Sequence, residues 1–224
     1  FGTDGKLEWM ITDLSDGWKQ IGDNWYYVKD QSILKAQWLI LENAIYYLDE
    51  DGKMLENEEC LLEDITGDGS HVYHFGSGGA LITGWYQTSS GEWNYFDSNG
   101  LAVTGWLKLN TVWYYFSEDG VMETGWNDID GTWYYFDVSG SMHTGWLQLN
   151  GIWYYMMPGG AMATGWAVAD GNWYYFNESG SMHTGWLQLG NNWYYLQDSG
   201  NMVIGWQVVD GVNYYFNESG AWVS

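Results

Sequence analysis

Apolar and polar residues in this chain come in short bursts whose order repeats. From Gly105 to Tyr115 it reads Gly-Trp-Leu-Lys-Leu-Asn-Thr-Val-Trp-Tyr-Tyr, and the Gly-Trp, spacer, Trp-Tyr-Tyr pattern returns at Trp126 with Trp133, Trp146 with Trp153, Trp166 with Trp173 and Trp186 with Trp193. The interval is 20 residues each time. A fixed period of this length marks a stack of small units, each covering its neighbour.

Each unit reads as a β-hairpin. Asp130-Gly131, Asn150-Gly151, Asp170-Gly171 and Asp210-Gly211 stand between the two bursts, and such dipeptides flanked by aromatic and β-branched residues favour a turn in which both residues take positive φ. A two-residue turn at Asp130-Gly131 sets Ile129 opposite Thr132, Asp128 opposite Trp133 and Trp126 opposite Tyr135. Because side chains alternate along a strand, Trp126, Trp133 and Tyr135 then share one face. Tyr134 and Phe136 occupy the other, joined in sister units by Leu107, Leu109, Leu147 and Leu149. A lone hairpin is marginal in water, so stacking supplies the stability. The methionines at 122, 142, 162, 182 and 202, each two residues after a loop glycine, suit the gap between neighbours.

The pattern divides the chain into three segments. Residues 1–51 begin with Phe1 to Leu7, which reads as the tail of a repeat, and continue with the Trp18/Trp25 unit and a unit at Trp38 whose second Trp is replaced by Ile45. Residues 52–83 diverge: Glu56 to Glu59 and Glu63-Asp64 stand where Gly-Trp is expected, and Val72 to Phe75 is a faint Trp-Tyr-Tyr. This stretch is a longer divergent repeat, a bend or a contact surface. Residues 84–224 are the regular array, with one extra residue before Trp93, Asn213 in place of the last second Trp, and Trp222 in a terminal cap. The chain reads as a piece of a longer protein.

Composition narrows the function. Eighteen Trp and an aromatic content of 20% exceed what a compact core uses. The formal charge of −23 repels nucleic acid and anionic lipid and draws in cations. One cysteine, Cys60, excludes an internal disulfide framework, and no apolar run approaches the roughly 18 residues of a membrane span. The Asp64 to Asp68 stretch lacks the alternating ligands and closing Glu of an EF-hand, so no metal or cofactor is expected. The acids recur in turns, His143 and His183 share one repeat phase, and no acid–base pair or triad can be assembled from the spacing. No enzyme is expected.

A packing ladder would be served equally well by Leu, Val or Phe, yet six consecutive units from Trp85 to Trp193 keep both Trp. Paired indoles suit quaternary ammonium groups, through cation–π attraction of about 0.5–2 kcal/mol per ring, or sugar rings. The sequence from Gly145 to Tyr155, followed by Gly-Ala-Met-Ala-Thr-Gly-Trp from Gly160 to Trp166, closely resembles the choline-binding repeats of Gram-positive surface proteins and cell-wall lytic enzymes. The resemblance covers essentially the whole chain. It implies an all-β, left-handed β-solenoid of stacked hairpins of about 20 residues, secreted to the cell wall of a Gram-positive bacterium. There it would hold phosphocholine of teichoic and lipoteichoic acids between consecutive repeats.

Carried over residue by residue, the resemblance implies cages of Trp85, Trp93 and Tyr114; Trp106, Trp113 and Tyr134; Trp126, Trp133 and Tyr154; Trp146, Trp153 and Tyr174; Trp166, Trp173 and Tyr194; and Trp186, Trp193 and Tyr214. A seventh joins Trp18 and Trp25 to Tyr46. The second Tyr of each pair is the alternative third wall. Ile45 and Asn213 break the sites that Trp38 and Trp206 would begin. Glucan-binding repeats, with similar Tyr-Tyr-Phe and Gly spacing, are the competing reading. Beyond choline, host proteins at the divergent stretch and a second copy in a homodimer stand as further partners.

Overall fold

The computed structural model describes residues 11, 13–65, 67 and 69–223. The expected repeat tail at Phe1 to Leu7, Thr66 and Asp68 of the acidic stretch lie outside them. The described residues form an all-β chain of ten small antiparallel sheets. Their strand pairs are Gly17–Ile21 with Asn24–Lys29 (extended by Ser32–Ile33), Gln37–Leu41 with Ala44–Leu48, Glu58–Glu63 with Ser70–Phe75, Gly84–Gln87 with Trp93–Phe96, Gly105–Leu109 with Val112–Phe116, Gly125–Ile129 with Thr132–Phe136, Gly145–Leu149 with Ile152–Met156, Gly165–Ala169 with Asn172–Phe176, Gly185–Leu189 with Asn192–Leu196, and Gly205–Val209 with Val212–Phe216.

The register follows the turn chemistry. Trp126 pairs with Tyr135, Asp128 with Trp133 and Ile129 with Thr132, the same pairing recurring 20 and 40 residues on. Asp130 and Gly131 take φ of 53° and 78°, as a type I′ turn requires. At Gly190-Asn191 only the first residue has positive φ, 59°, the pattern of a type II′ turn, and the register survives. Before Trp93 the extra residue is absorbed in a wider turn closed by Thr88 N donating to Glu92 O at 2.9 Å. The divergent stretch contains a hairpin too, with Glu58 paired to Phe75 and Cys60 to Tyr73.

The chain divides into two compact units, residues 1–105 with 116–122, and residues 106–115 with 123–224. In the second, the last residue of each hairpin is sealed inside: Phe136, Met156, Phe176, Leu196 and Phe216 are fully buried. Each forms a β-bridge to the residue six positions on, as Phe136 does to Met142. That residue ties its repeat to the one before. Met142 N donates to Trp113 O, Met162 N to Trp133 O and Met182 N to Trp153 O, each at 2.8 Å, and Met202 N to Trp173 O at 2.7 Å. Hairpins thus succeed one another as the turns of a solenoid, one backbone bond fixing each step. The loop glycines fit this step. Gly180 has φ of +79°, and a Cβ there would run into the Met162 side chain.

The first unit is built the same way, Met54 N donating to Trp25 O at 2.8 Å and Met122 N to Trp93 O at 2.7 Å. Leu39, Leu48 and Met54 form a core against Trp18, Trp25 and Tyr46, and Leu55, Tyr73, Phe75 and Leu81 form another against Trp38, Ile45 and Tyr47. Loop acids serve the backbone. Asp97 Oδ1 accepts from the N–H groups of Asn99 and Leu101, and Asp137 Oδ1 from those of Ser139 and Ser141. Burial pushes the Asp137 carboxyl up, but these bonds outweigh it and hold the group below its ordinary range.

Candidate functional site

The paired tryptophans converge edge to face. Ring centroids of Trp126 and Trp133 lie 6.4 Å apart at 78°, and those of Trp146 and Trp153 6.0 Å apart at 88°. Head-to-tail stacking brings the first Tyr of the next hairpin against the first Trp: Trp126 to Tyr154 is 5.1 Å, Trp146 to Tyr174 4.7 Å, Trp106 to Tyr134 4.9 Å, Trp166 to Tyr194 5.1 Å and Trp186 to Tyr214 4.8 Å. The second Tyr backs the Trp of its own hairpin, as Tyr135 does Trp126 at 5.2 Å. It braces the wall from behind, whereas the first Tyr lines the cavity.

These side chains enclose open cavities. One of about 370 Å³ is lined by Trp126, Trp133, Tyr154, Met162, Glu178 and Ser179, and another of about 370 Å³ by Trp146, Trp153, Tyr174, Met182, Asp198 and Ser199. A third, of about 350 Å³, is lined by Trp106, Trp113, Tyr134, Met142 and Gly159. In the first unit Trp18, Trp25 and Tyr46 line one of about 390 Å³ with Met54 and Glu56. Trp85 and Trp93 meet at 6.1 Å in that unit, while Tyr114 belongs to the other.

Three kinds of residue beside the paired tryptophans were missed from the sequence. The methionines, expected only to fill gaps, also form the fourth wall. Their signal was the constant offset that carries each one back onto the preceding Trp-Tyr-Tyr strand. Trp222 stands where the Met stands elsewhere, 6.3 Å from Trp186 and 5.9 Å from Tyr214; its place in the Gly-x-Met phase was readable. Glu178 and Asp198 come from the loop two repeats on, a distance that no single-repeat reading spans.

The two broken sites have different fates. Trp38 is covered by the divergent hairpin: its ring meets Tyr73 at 4.8 Å and Phe75 at 6.1 Å, and its Nε1–H donates to Glu63 O at 3.0 Å. Trp206 has only Tyr215 as an aromatic neighbour within its hairpin and is 69% exposed.

Electrostatics grade the cavities. Lys108 places its Nζ 5.3 Å from the centre of the Trp113 ring, so a cation of the chain already lies over that indole. In the next repeat Asp128 takes this register position, opposite Trp133, and Glu178 supplies a carboxylate to the cavity lining. Asp170 accepts from Trp146 Nε1–H at 3.0 Å, and burial, with this Asp beside it, pushes the Tyr174 phenol up. The ring keeps its proton and its neutral face. Among the described residues no group of three acidic, His or Cys side chains could hold a metal ion, and no helix is long and apolar enough to cross a membrane.

Family models match these repeats. The choline-binding repeat model matches residues 123–164 and 163–204, and a cell wall binding repeat model matches 16–31, 37–54, 83–102, 104–122 and 204–221. Choline binding protein F from Streptococcus pneumoniae is 32% identical, with 93% of this chain and 87% of that one covered and a TM-score of 0.77. The chain belongs to the choline-binding repeat family. CbpJ from Streptococcus pneumoniae is similar at 30% identity, covering 93% and 88% of the two chains with a TM-score of 0.80. The modular autolysin LytC of the same species is 26% identical over 93% of this chain and 52% of its own, with a TM-score of 0.56. A search of curated protein sequences finds no match. This membership fixes an all-β, solenoid-like array of cell-wall-binding repeats and associates the chain with the cell surface.

Proposed function

We propose that the chain is a non-catalytic anchoring module that holds phosphocholine of teichoic and lipoteichoic acids in the aromatic cages between its repeats. The carrying observation is the repeated cavity in which two Trp, a Tyr and a Met surround a space open at one side, with a carboxylate nearby in the Trp18, Trp126 and Trp146 cages. A trimethylammonium group is a cation without N–H donors. It gains from indole faces, about 0.5–2 kcal/mol per ring, and from soft apolar contact with Met. Three rings support an affinity near the millimolar range, about 4 kcal/mol, once the cost of association is met.

One such cage is weak, and the array compensates by number. On a polymer that carries several choline groups, each bound group raises the effective concentration of the next. The net charge of −23 favours the cationic group over the phosphates around it. In this reading residues 84–224 and 1–51 bear the cages and 52–83 interrupts them, Trp38 being spent on packing.

Calorimetric titration with choline beside isomaltose tests the reading. Several millimolar choline sites are expected, outnumbering any single site that isomaltose fills. Heat from isomaltose with silence toward choline would transfer the chain to the glucan-binding class, and silence toward both would leave the tryptophans as a structural ladder.

A further inference from the structure

Next to the Trp166 cage lies a concavity of different chemistry. It has a volume of about 320 Å³ and is lined by Trp173, Asn172, Gln197, Asn201 and Gln207 over a floor of Met202, Val203 and Ile204. No lining side chain is ionised at neutral pH. The amides form a relay: Asn201 Nδ2 donates to Gln197 Oε1 at 3.1 Å, Gln197 Nε2 to Gln207 Oε1 at 3.4 Å, and Gln207 Nε2 to Val208 O at 3.1 Å. Each amide nitrogen carries two protons and each amide oxygen two lone pairs. The relay spends one proton of each nitrogen and leaves further donors and acceptors.

Folding does not call for these amides. The position of Gln207 is Asn127 in one sister repeat and the buried Leu147, Ala167 and Leu187 in three others, and a carboxamide in place of such a buried residue is costly unless bonded. Around Trp133 the residues matching Gln197, Asn201 and Gln207 are Met157, Ala161 and Ala167, and around Trp153 they are Asn177, Ser181 and Leu187. Only Trp173 has an amide at all three. Its indole, 49% exposed, supplies a flat apolar platform beside them.

We propose that this concavity is a second binding site, for a neutral pyranose ring. A sugar ring has an apolar C–H face to lie on Trp173, and hydroxyls that both donate and accept, as the carboxamides do. A cationic or anionic ligand would find no counter-charge in the lining. The volume is at the small end of ligand sites, which run about 300–1,000 Å³, and suits one ring or the end of a glycan. The site shares Trp173 with the Trp166 cage but does not rest on what that cage binds. An α-glucan or an amino-sugar strand of the wall could each supply the ring.

Saturation-transfer NMR on the whole chain tests this, with methyl α-glucoside, isomaltotriose and di-N-acetylchitobiose as probes. At least one should bind in the wild type, and the probe preferred identifies the source. Gln207→Leu gives the residue of the Trp146 and Trp186 repeats and should weaken the sugar by about tenfold or more. Thermal melting and the far-ultraviolet spectrum check that the variant folds. The choline response of the Met182 methyl, in the separate Trp146 cage, should match in both proteins. Silence of all three sugars, or an unchanged sugar response in folded Gln207→Leu, would overturn the proposal. A Met182 methyl that ignores choline while the sugar signal behaves as predicted would count against the anchoring function alone.

Discussion

Replacing Trp133 by Ala should separate binding from folding in one cage. The indole is 44% exposed, and its ring meets the edge of Trp126 at 6.4 Å. The bond that fixes the solenoid step at this point, Met162 N to Trp133 O at 2.8 Å, uses only the backbone of Trp133. The stability cost is then one aromatic pair, about 0.5–1.5 kcal/mol, with the half-burial of the ring, about 1–2 kcal/mol, or roughly 3–14 °C at about 2–4 °C per kcal/mol for a chain of this size. The binding cost is one cation–π wall, about 0.5–2 kcal/mol, which weakens choline about 2- to 30-fold at that cage. Trp126→Ala, by contrast, removes contacts to Trp133, Tyr135 and Tyr154 together and should cost several times more stability. The assay uses the methionines as local reporters. With 13C-labelled Met methyl groups, Met142, Met162 and Met182 each read the cage they line. In Trp133→Ala the Met162 methyl should shift at higher choline concentration while Met182 keeps its midpoint. An unchanged Met162 midpoint, or loss of every response at once, would refute the reasoning.

The same reporters rank the cages by charge: Met142, beside Gly159 and with Lys108 over Trp113, should answer at higher choline than Met162, and Glu178→Gln should raise the Met162 midpoint by roughly two- to fivefold, a charge pair at about 4 Å in water being worth about 1 kcal/mol. Gly180→Ala should lower the melting temperature through about 1–3 kcal/mol of backbone strain at φ +79°, and should displace Met162 enough to weaken the Trp126 cage; melting and the Met162 titration read both. His74 packs against Phe96 at 4.7 Å, with Glu59 at 3.3 Å. Burial lowers its pKa more than Glu59 raises it. The unfolded chain therefore binds the proton more readily, and stability should fall as pH drops from the ordinary His value near 6.5 toward the depressed one. His74→Gln should flatten that slope in a melting series, and an equal slope in the variant would count against burial as the cause.

The local fold was legible because its determinants are local. An Asp-Gly turn fixes the pairing of Trp126 with Tyr135, and side-chain alternation then fixes the two faces. The third wall was legible as Tyr134, with Tyr135 as the alternative. Stacking distinguishes them, because one hairpin's Trp face meets the opposite face of the next. Met162 and Glu178 were harder to see, lying 29 and 45 residues beyond Trp133. They reach the cage through the bond at Trp133 O and the loop two repeats on. The divergent stretch hid its hairpin because Glu58 to Glu63 lacks Gly-Trp, yet Tyr73 and Phe75 occupy the core positions and cover Trp38. The amide relay escaped notice because Gln197, Asn201 and Gln207 are each ordinary surface substitutions until the fold assembles them.

The central claim is that the cages recognise a positive charge through their aromatic faces. Titrating the Met-labelled chain with choline and with 3,3-dimethylbutan-1-ol, its uncharged isostere, tests it most directly. Choline should shift Met162 and Met182 in the millimolar range, with the neutral analogue weaker by about tenfold or more, as the loss of cation–π attraction to several rings demands. Equal affinity for the two would contradict the claim and reduce the cages to apolar hollows.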